Sequence, residues 1–450
     1  MKLAELMTVG RPPEYPVAWL EGRLIEWAEF HARVAKLSHA LATRPEQEWL
    51  LACTEPFDFA VALFAVWHAG RRALLPPSLR EGAITEARRQ ADGVLADPGT
   101  WPEYAPENLA LAPLDPVRCG LDLFTSGSSG KPKRVSKHLA QFEAEVAALE
   151  RLWGGRDAGP VLATVPHHHI YGLLFRLLWP LASGRPFDNQ TCTAPEFLLA
   201  RLEQLGPGRV VSSPSQLARM HELIPLDSLA GRTTQIISSG GPLDAATAAR
   251  FQAALGEAPL EILGSTETGG IAWRIQDHDD AWTPFPEVAV SVADDVTNSA
   301  ALTLVSPFLP DTTPLTTGDA AELLEDGRFH LLGRLDRIVK IEEKRLSLAE
   351  MEARLSGHPW VREAALVVLN NRRQRLGAVL VLDDAGRRAL ENSGRAACAQ
   401  TLRGYLARWF DAVLLPRHWR YPDALPYNER GKLAAADLVR QFETTEFRHE

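Results

Sequence analysis

The residues best suited to chemistry lie in one short stretch, Thr125-Ser-Gly-Ser-Ser-Gly130, followed by Lys131 and Lys133 on either side of Pro132. Glycines let backbone N–H groups turn inward and approach an anion, hydroxyls add donors, and lysines add charge. This is the composition of a loop that grips phosphate. It is not the GxxxxGK[ST] loop of P-loop NTPases, because no Ser or Thr follows Lys131. A surface Ser/Gly loop has the same composition. The use of lysine gives a second signal. Only eight lysines occur among 48 basic residues, and six of them (Lys131, Lys133, Lys137, Lys340, Lys344 and Lys432) fall in motif-like stretches. An ammonium that reaches a phosphate or carboxylate as a point charge is not replaced by a planar guanidinium. Three adjacent histidines, His167 to His169, invite a metal reading. Adjacent side chains rarely converge on one centre, and no Cys or second His motif lies nearby.

These residues need strands to present them. Residues 24–41 read as an amphipathic helix, with Trp27, Phe30, Val34, Leu37 and Leu41 at helical spacing. Residues 49–53, 73–75 and 94–96 read as short buried strands, and 59–68 as an apolar helix stopped by Gly70. This alternation implies an α/β domain with a largely parallel sheet. Residues 121–124 form a strand that places the glycine loop at a carboxyl end, where such sheets bind ligands. Helices are expected at 140–152, 347–355 and 396–410, with strands at 161–165, 364–369 and 377–382. Residues 173–181, interrupted by Arg176, read as a core helix. Residues 281–330 read as a β-rich subdomain of short strands.

A chain of 450 residues is expected to hold two domains. The net charge of −9 argues against a nucleic-acid binder. Cys53, Cys119, Cys192 and Cys398 are widely spaced and read as reduced, cytosolic thiols. No signal peptide or membrane-spanning run is expected, and the localisation expected is cytoplasmic.

Four stretches in order carry a resemblance: Leu123-Phe-Thr-Ser-Gly-Ser-Ser-Gly-Lys-Pro-Lys133, Gly264-Ser-Thr-Glu267, Thr317-Gly-Asp319 with Gly333-Arg-Leu-Asp336, and Pro426-Tyr-Asn-Glu-Arg-Gly-Lys432. Together they resemble the adenylate-forming superfamily of acyl- and aryl-CoA synthetases, adenylation domains and luciferases. The resemblance implies a large α/β N-terminal domain with a β-rich subdomain (1–333), a hinge (334–337) pivoting on Asp336, and a small mobile α+β domain (338–450). It implies that Thr125, Ser126, Gly127, Ser128, Ser129, Gly130 and Lys133 bind ATP phosphates. Gly240, Gly241 and Leu263 would lie along the adenine, Asp319 would hold the ribose, and Arg334 would reach ribose or phosphate. Glu267 would hold magnesium, Thr266 would contact phosphate, and Lys432 would be the catalytic lysine. His169, Tyr171, Gly172 and Ser239 would line the carboxylate pocket, and His169-Ile-Tyr is similar to the wording of 4-coumarate-type ligases.

Two positions depart from the family pattern. Leu263 stands where an aromatic ring usually stacks on adenine. Glu343, in Lys340-Ile-Glu-Glu-Lys-Arg345, stands where a glycine usually lines the thiol tunnel. A glutamate there narrows the tunnel and makes it acidic, so a carrier protein is an alternative acceptor to free coenzyme A. The same stretch resembles short acyl-activating enzymes of bacterial aryl-polyene and xanthomonadin pathways. The activity implied is ATP- and magnesium-dependent activation of a carboxylic acid, aryl by the pocket wording, then transfer to coenzyme A or an acyl carrier protein. A medium- or long-chain fatty acyl-CoA synthetase, and a non-catalytic acyl- or nucleotide-binding regulator on the same fold, are the alternatives.

Overall fold

The computed structural model describes residues 1–102, 110–126, 132–156, 159–276, 280–294, 300–341, 344–370, 374–427, 433 and 435–443. The chain divides into two compact units. The first comprises Met1–Val290, Leu304–Leu315 and Leu324–Phe329, and the second Ser291–Thr303, Thr316–Leu323 and His330–Glu450.

The first unit is built on two sheets. The larger has nine strands, in the order Thr283–Pro284, Gly269–Ile275, Leu260–Ser265, Thr233–Ser239, Gly208–Ser212, Val161–Ala163, Phe187–Thr191, Pro16–Leu20 and Arg23–Glu26. The six strands from Leu260–Ser265 to Pro16–Leu20 run parallel. The second sheet has five strands, in the order Gly93–Leu95, Glu48–Leu51, Arg72–Leu75, Gly120–Ser126 and Pro132–His138. Its first four strands are parallel, and the last turns back antiparallel.

Helices cover these sheets as the apolar patterning requires. Helix Pro56–His68 opens with Pro at its first turn, where no N–H is missed, and eleven of its thirteen residues are buried. It packs on helix Trp27–Ala42 through Phe30, whose ring centroid lies 5.8 Å from Phe57 and 6.1 Å from Phe64. Each such fully buried ring contributes about 2–3 kcal/mol of apolar burial. The helix expected over 24–41 begins later. Residues 23–26 are a strand pairing with Pro16–Leu20, and Glu26 keeps extended backbone before the helix starts at Trp27. Residues 173–181 are helical and buried as expected, but Leu173–Leu178 is a π-helical turn. Inside it Arg176 is fully buried. Its guanidinium donates to the carbonyls of Val165, Asp188, Asn189 and Gln190 and to Thr191 Oγ1. A charge can sit there because five acceptors, four along strand Phe187–Thr191 and one just after Val161–Ala163, replace its water.

In the second unit, strands Val361–Asn370 and Gln374–Leu382 form an antiparallel pair, with His418–Arg420 parallel to the latter. Side chains alternate between two cores. Leu366, Leu380 and Leu382 pack with Met351, Leu355 and Leu402 on one face, and Val367, Val379 and Val381 pack with Leu438 and Phe442 on the other. The helix expected over 396–410 runs instead over Asp384–Leu406. Asp383 caps it by accepting from Gly386 N, and Gly394 breaks its regularity at φ 78°. A four-stranded sheet, in the order Ala289–Asp294, Ala300–Val305, Leu315–Leu323 and Phe329–Arg334, lies mostly in this unit. Among the described residues no helix is long and apolar enough to cross a membrane.

Candidate active site

In the first unit the candidate residues gather at the carboxyl ends of parallel strands. Thr125 and Ser126 end Gly120–Ser126, Ser239 ends Thr233–Ser239 just before Gly240 and Gly241, and Leu263 lies in Leu260–Ser265, which leads into Thr266 and Glu267. Gly127, Ser128, Ser129 and Gly130 lie outside the described residues, as does Lys432.

The glycine stretch joins two antiparallel strands. In that hairpin Thr125 pairs with Lys133 and Ser126 with Pro132. A buried carboxylate pins it. Asp122 is fully buried and accepts from Arg72 Nε at 2.7 Å and from Arg134 Nε at 2.7 Å, while Arg134 Nη2 also reaches Glu48 Oε1 at 2.5 Å. Burial alone would raise the Asp122 pKa. Hydrogen bonds from Arg72, Ser136 and Arg134 outweigh it and hold the carboxyl below its usual range.

Lys133 and Lys137 lie four residues apart on the same strand, so they share a face. Lys133 is exposed, and its Nζ lies 3.7 Å from Glu267 Oε1. Lys137 is only 4% exposed. Its Nζ donates to the carbonyl oxygens of Phe308 at 3.0 Å and Glu267 at 3.3 Å. Glu267 is thus approached by one lysine at its carboxylate and by another at its backbone. The turn that carries it is tight. Ser265 N donates to Thr268 Oγ1 at 2.9 Å, and Thr268 N returns a bond to Ser265 Oγ at 3.2 Å. Gly269, at φ 69°, starts the returning strand. Behind the turn Glu145 accepts from Gly270 N at 2.7 Å. Burial pushes the Glu145 carboxyl up to about 7, against Lys137 and the Gly270 N–H. Burial also lowers the Lys137 ammonium, against Glu145 and Glu267.

The pocket candidates sit at the end of strand Thr233–Ser239 and at the short helix Ile170–Gly172. Ser239 Oγ donates to the Ile262 carbonyl at 2.8 Å. Gly240 has φ 93°, a conformation open to glycine at little cost, and the loop it forms is exposed. Tyr171 Oη donates to the Ile237 carbonyl at 2.9 Å, which ties the helix after the histidines to the same strand. A Cβ on Gly172 would lie 2.0 Å from the Pro166 carbonyl oxygen, so only glycine permits that close approach. The three histidines have different surroundings. His167 is buried, lies 4.9 Å from the Phe59 ring at a tilt of 55°, and is bonded through Nε2 to the Cys53 carbonyl. Its proton affinity is held well below the ordinary value, first by desolvation and then by Arg176. His169 precedes the helix in extended conformation and is half-buried. Among the described residues no cluster of three or more His, Cys, Asp or Glu could hold a metal.

In the second unit Asp319 and Arg334 are brought together. Arg334 Nη1 lies 3.6 Å from Asp319 Oδ1, and a Cβ on Gly318 would meet Arg334 Nη2 at 2.7 Å. Asp319 N donates to Thr317 Oγ1 at 3.1 Å. Asp336 lies in the 3-10 turn Leu335–Arg337.

Gln141 and Glu145 did not stand out in the sequence. Their signal was their position. In helix Leu139–Trp153 they lie on the buried face with Leu139, Phe142, Val146 and Leu149, where apolar residues belong.

Residues 75–301, half of the chain, match the family model described as AMP-binding enzyme. A 4-coumarate–CoA ligase of Cereibacter sphaeroides is 31% identical over 69% of this chain and 69% of its own length. The chain belongs to the AMP-binding enzyme family. By class it is an AMP-forming acid–thiol ligase, an adenylate-forming synthetase. This member is also 28% identical to phenyloxazoline synthase MbtB of Mycobacterium tuberculosis, over 74% of this chain and 26% of that protein. Its fold matches ATP-bound MatB from Rhodopseudomonas palustris with TM-score 0.81 at 19% identity, covering 98% of this chain and 99% of the other. It also matches the o-succinylbenzoate CoA synthetase MenE of Bacillus subtilis in complex with its acyl-adenylate, with TM-score 0.79 at 18% identity and 95% coverage of each. This is the mixed α/β architecture implied by the four motifs.

Proposed function

We propose that this enzyme uses ATP to convert an aryl carboxylic acid to its acyl-adenylate and then transfers the acyl group to a phosphopantetheine thiol. The observation that carries the proposal is the Glu267 turn. It sits at the carboxyl end of a parallel strand, its carboxylate 38% exposed and 3.7 Å from Lys133, the lysine that closes the Ser/Gly stretch. A carboxylate and an ammonium side by side at the end of a phosphate-type loop suit a polyphosphate carrying a hard cation. The relatives named 4-coumarate–CoA ligase support an aryl acid and a coenzyme A acceptor. MbtB, named a phenyloxazoline synthase, supports an aryl acid. The proposed localisation is cytoplasmic.

A carboxylate does not acylate thiols because its oxygen is a poor leaving group. In the proposed reaction the acid's oxygen attacks the α-phosphorus of ATP, the bond from that phosphorus to the bridging oxygen breaks, and pyrophosphate leaves. The thiol, as thiolate, then attacks the adenylate carbonyl and AMP departs with the bonding pair. The protein's work is positioning and charge stabilisation. Thr125, Ser126 and the following Gly127, Ser128, Ser129 and Gly130 donate to phosphate oxygens, and Lys133 adds charge. Thr266 contacts phosphate. Glu267 would hold magnesium, one carboxylate beside substrate oxygens being its usual protein contribution. When bound, that ion supplies neutralisation of the phosphate charge. Gly240, Gly241 and Leu263 lie along the base, Asp319 binds the ribose, and Arg334 reaches the ribose or phosphate. His169, Tyr171, Gly172 and Ser239 line the acid pocket. Lys432, carried by the proposed small domain (338–450) that turns about Asp336, contacts the reacting carboxylate and α-phosphate.

The test is AMP release with hydroxybenzoic, cinnamic and fatty acids, with either coenzyme A or a phosphopantetheinylated carrier protein as acceptor. The proposal expects turnover with an aryl acid and an acylated thiol by mass spectrometry. Turnover with fatty acids alone would overturn the aryl assignment, and AMP release independent of any thiol would overturn the transfer step.

A further inference from the structure

Three polar residues outside the four motifs are buried against the turn that presents Glu267. Lys137, Gln141 and Glu145 are spaced by four, and they are 4%, 2% and 4% exposed. Gln141 and Glu145 share a face of helix Leu139–Trp153, and Lys137, on the strand that runs directly into it, meets Gln141 at the Phe308 carbonyl. Lys137 Nζ donates to the carbonyls of Glu267 and Phe308, at 3.3 and 3.0 Å. Gln141 Nε2 donates to the same Phe308 carbonyl at 2.8 Å, while its Oε1 accepts from His138 N at 2.9 Å. Glu145 Oε1 accepts from Gly270 N at 2.7 Å. The fit is close from the other side as well. A Cβ on Gly269 would lie 2.9 Å from Glu145 Oε2 and 3.0 Å from Phe308 Cβ, and one on Gly270 would lie 2.9 Å from Phe285 Cε2 and 3.0 Å from Glu145 Oε1.

An ordinary core would fill this space with apolar side chains. Burying an ammonium and a carboxylate costs several kcal/mol unless their bonds are made. Here Lys137 binds the Glu267 carbonyl and Glu145 the Gly270 N–H, one on each side of Thr268 in the same turn, and the Phe308 carbonyl takes the second Lys137 bond. We propose that Lys137, Gln141 and Glu145 are positioning residues that fix the 264–270 turn so that the Glu267 carboxylate faces the Lys133 side. Lys137 holds the Glu267 carbonyl, Glu145 holds the returning strand, and Gln141 locks Phe308 between them. The strand that ends the phosphate stretch thereby also sets the orientation of the carboxylate that works with it. This rests on the reading of Glu267 given under Proposed function, and the test separates the two.

The test uses the full-length protein with three variants: Lys137→Met, Lys137→Arg, and the double Lys137→Met/Glu145→Gln. The double variant removes both charges, keeps an acceptor for Gly270 N, and so avoids an unpaired buried ion. The first readout is amide hydrogen exchange of segment 264–270 in ligand-free protein. The second is the magnesium midpoint of ATP–pyrophosphate exchange at saturating acid. Exchange in the segment is expected to rise about tenfold in Lys137→Met and the double variant, with partial rescue in Lys137→Arg. The magnesium midpoint should rise about tenfold while the KM for the acid stays within about twofold. Unchanged segment exchange in the folded double variant would overturn the positioning role. Faster exchange with an unchanged magnesium midpoint would leave the brace standing but refute the role of Glu267.

Discussion

Gly264→Ala should damage the site through one steric contact. Gly264 lies in the strand Leu260–Ser265 and is in register with Gly270 across the hairpin. Its φ lies outside the left-handed region, so alanine is acceptable to the backbone itself. The obstacle is space. A Cβ at 264 would sit 2.4 Å from the Gly269 carbonyl oxygen, 3.1 Å from its carbon and 3.2 Å from Gly270 Cα. All three are backbone atoms, so no side chain can swing away. Reaching an ordinary contact of about 3.4 Å requires the hairpin to open by about 1 Å. The turn between these strands carries Thr266 and Glu267, and the opening also pulls Gly270 N from Glu145. A misplacement of about 1 Å costs on the order of 100-fold in rate, and the overpacking costs about 1–3 kcal/mol of stability. The assay is pyrophosphate exchange across a magnesium titration, with thermal melting alongside. Gly82→Ala, whose added Cβ meets nothing within 4 Å, is the control. A folded Gly264→Ala enzyme within about threefold of wild type would refute the claim that the turn's position governs the chemistry.

Leu263→Tyr should lower the KM for ATP by about two- to tenfold, because a stacked ring is worth about 0.5–1.5 kcal/mol beyond its burial. An unchanged or raised KM in initial-rate kinetics would mean that Leu263 does not face the base. His68 should make the fold acid-sensitive. Desolvation, aided by His31, lowers its pKa from 6.5 to about 4. A depressed folded value means that the unfolded chain binds the proton first, so the stabilisation is complete above about pH 6.5 and is lost as pH falls toward 4. The gap corresponds to about 3 kcal/mol, of which about 2 kcal/mol is gone at pH 5. Urea unfolding of wild type and His68→Gln at pH 7.5 and 5 should show a smaller pH effect in the variant, and equal pH effects would refute the assignment.

The motifs were legible because phosphate chemistry restricts residue type so strongly. Ser/Gly runs, scarce lysines and Glu267 after a small-residue turn all announce themselves, and the parallel strands that carry them are short β-branched or leucine runs. What was not legible depended on partners distant in sequence. The strand Pro132–His138 carries Lys133, Arg134 and Lys137, as a solvated strand would, yet Arg134 and Lys137 are bound by Asp122, Glu48 and the carbonyl oxygens of Glu267 and Phe308. The first half of helix Asp384–Leu406 is polar and contains Gly386 and Gly394, so periodicity finds only its second half. Residues 23–26 continue the pattern of the following helix, and only pairing with Pro16–Leu20 makes them a strand. Gln141 and Glu145 were hidden by the apolar residues around them, although polar groups at buried helical positions were the available clue.

The central claim is that this protein adenylates a carboxylic acid. Acid-dependent ATP–pyrophosphate exchange, with magnesium and without thiol, tests it most directly, in wild type and in Lys432→Ala. The account predicts exchange with an aryl acid and at least about a tenfold loss in the variant. ATP binding without exchange for any acid, or full exchange in Lys432→Ala, would contradict it.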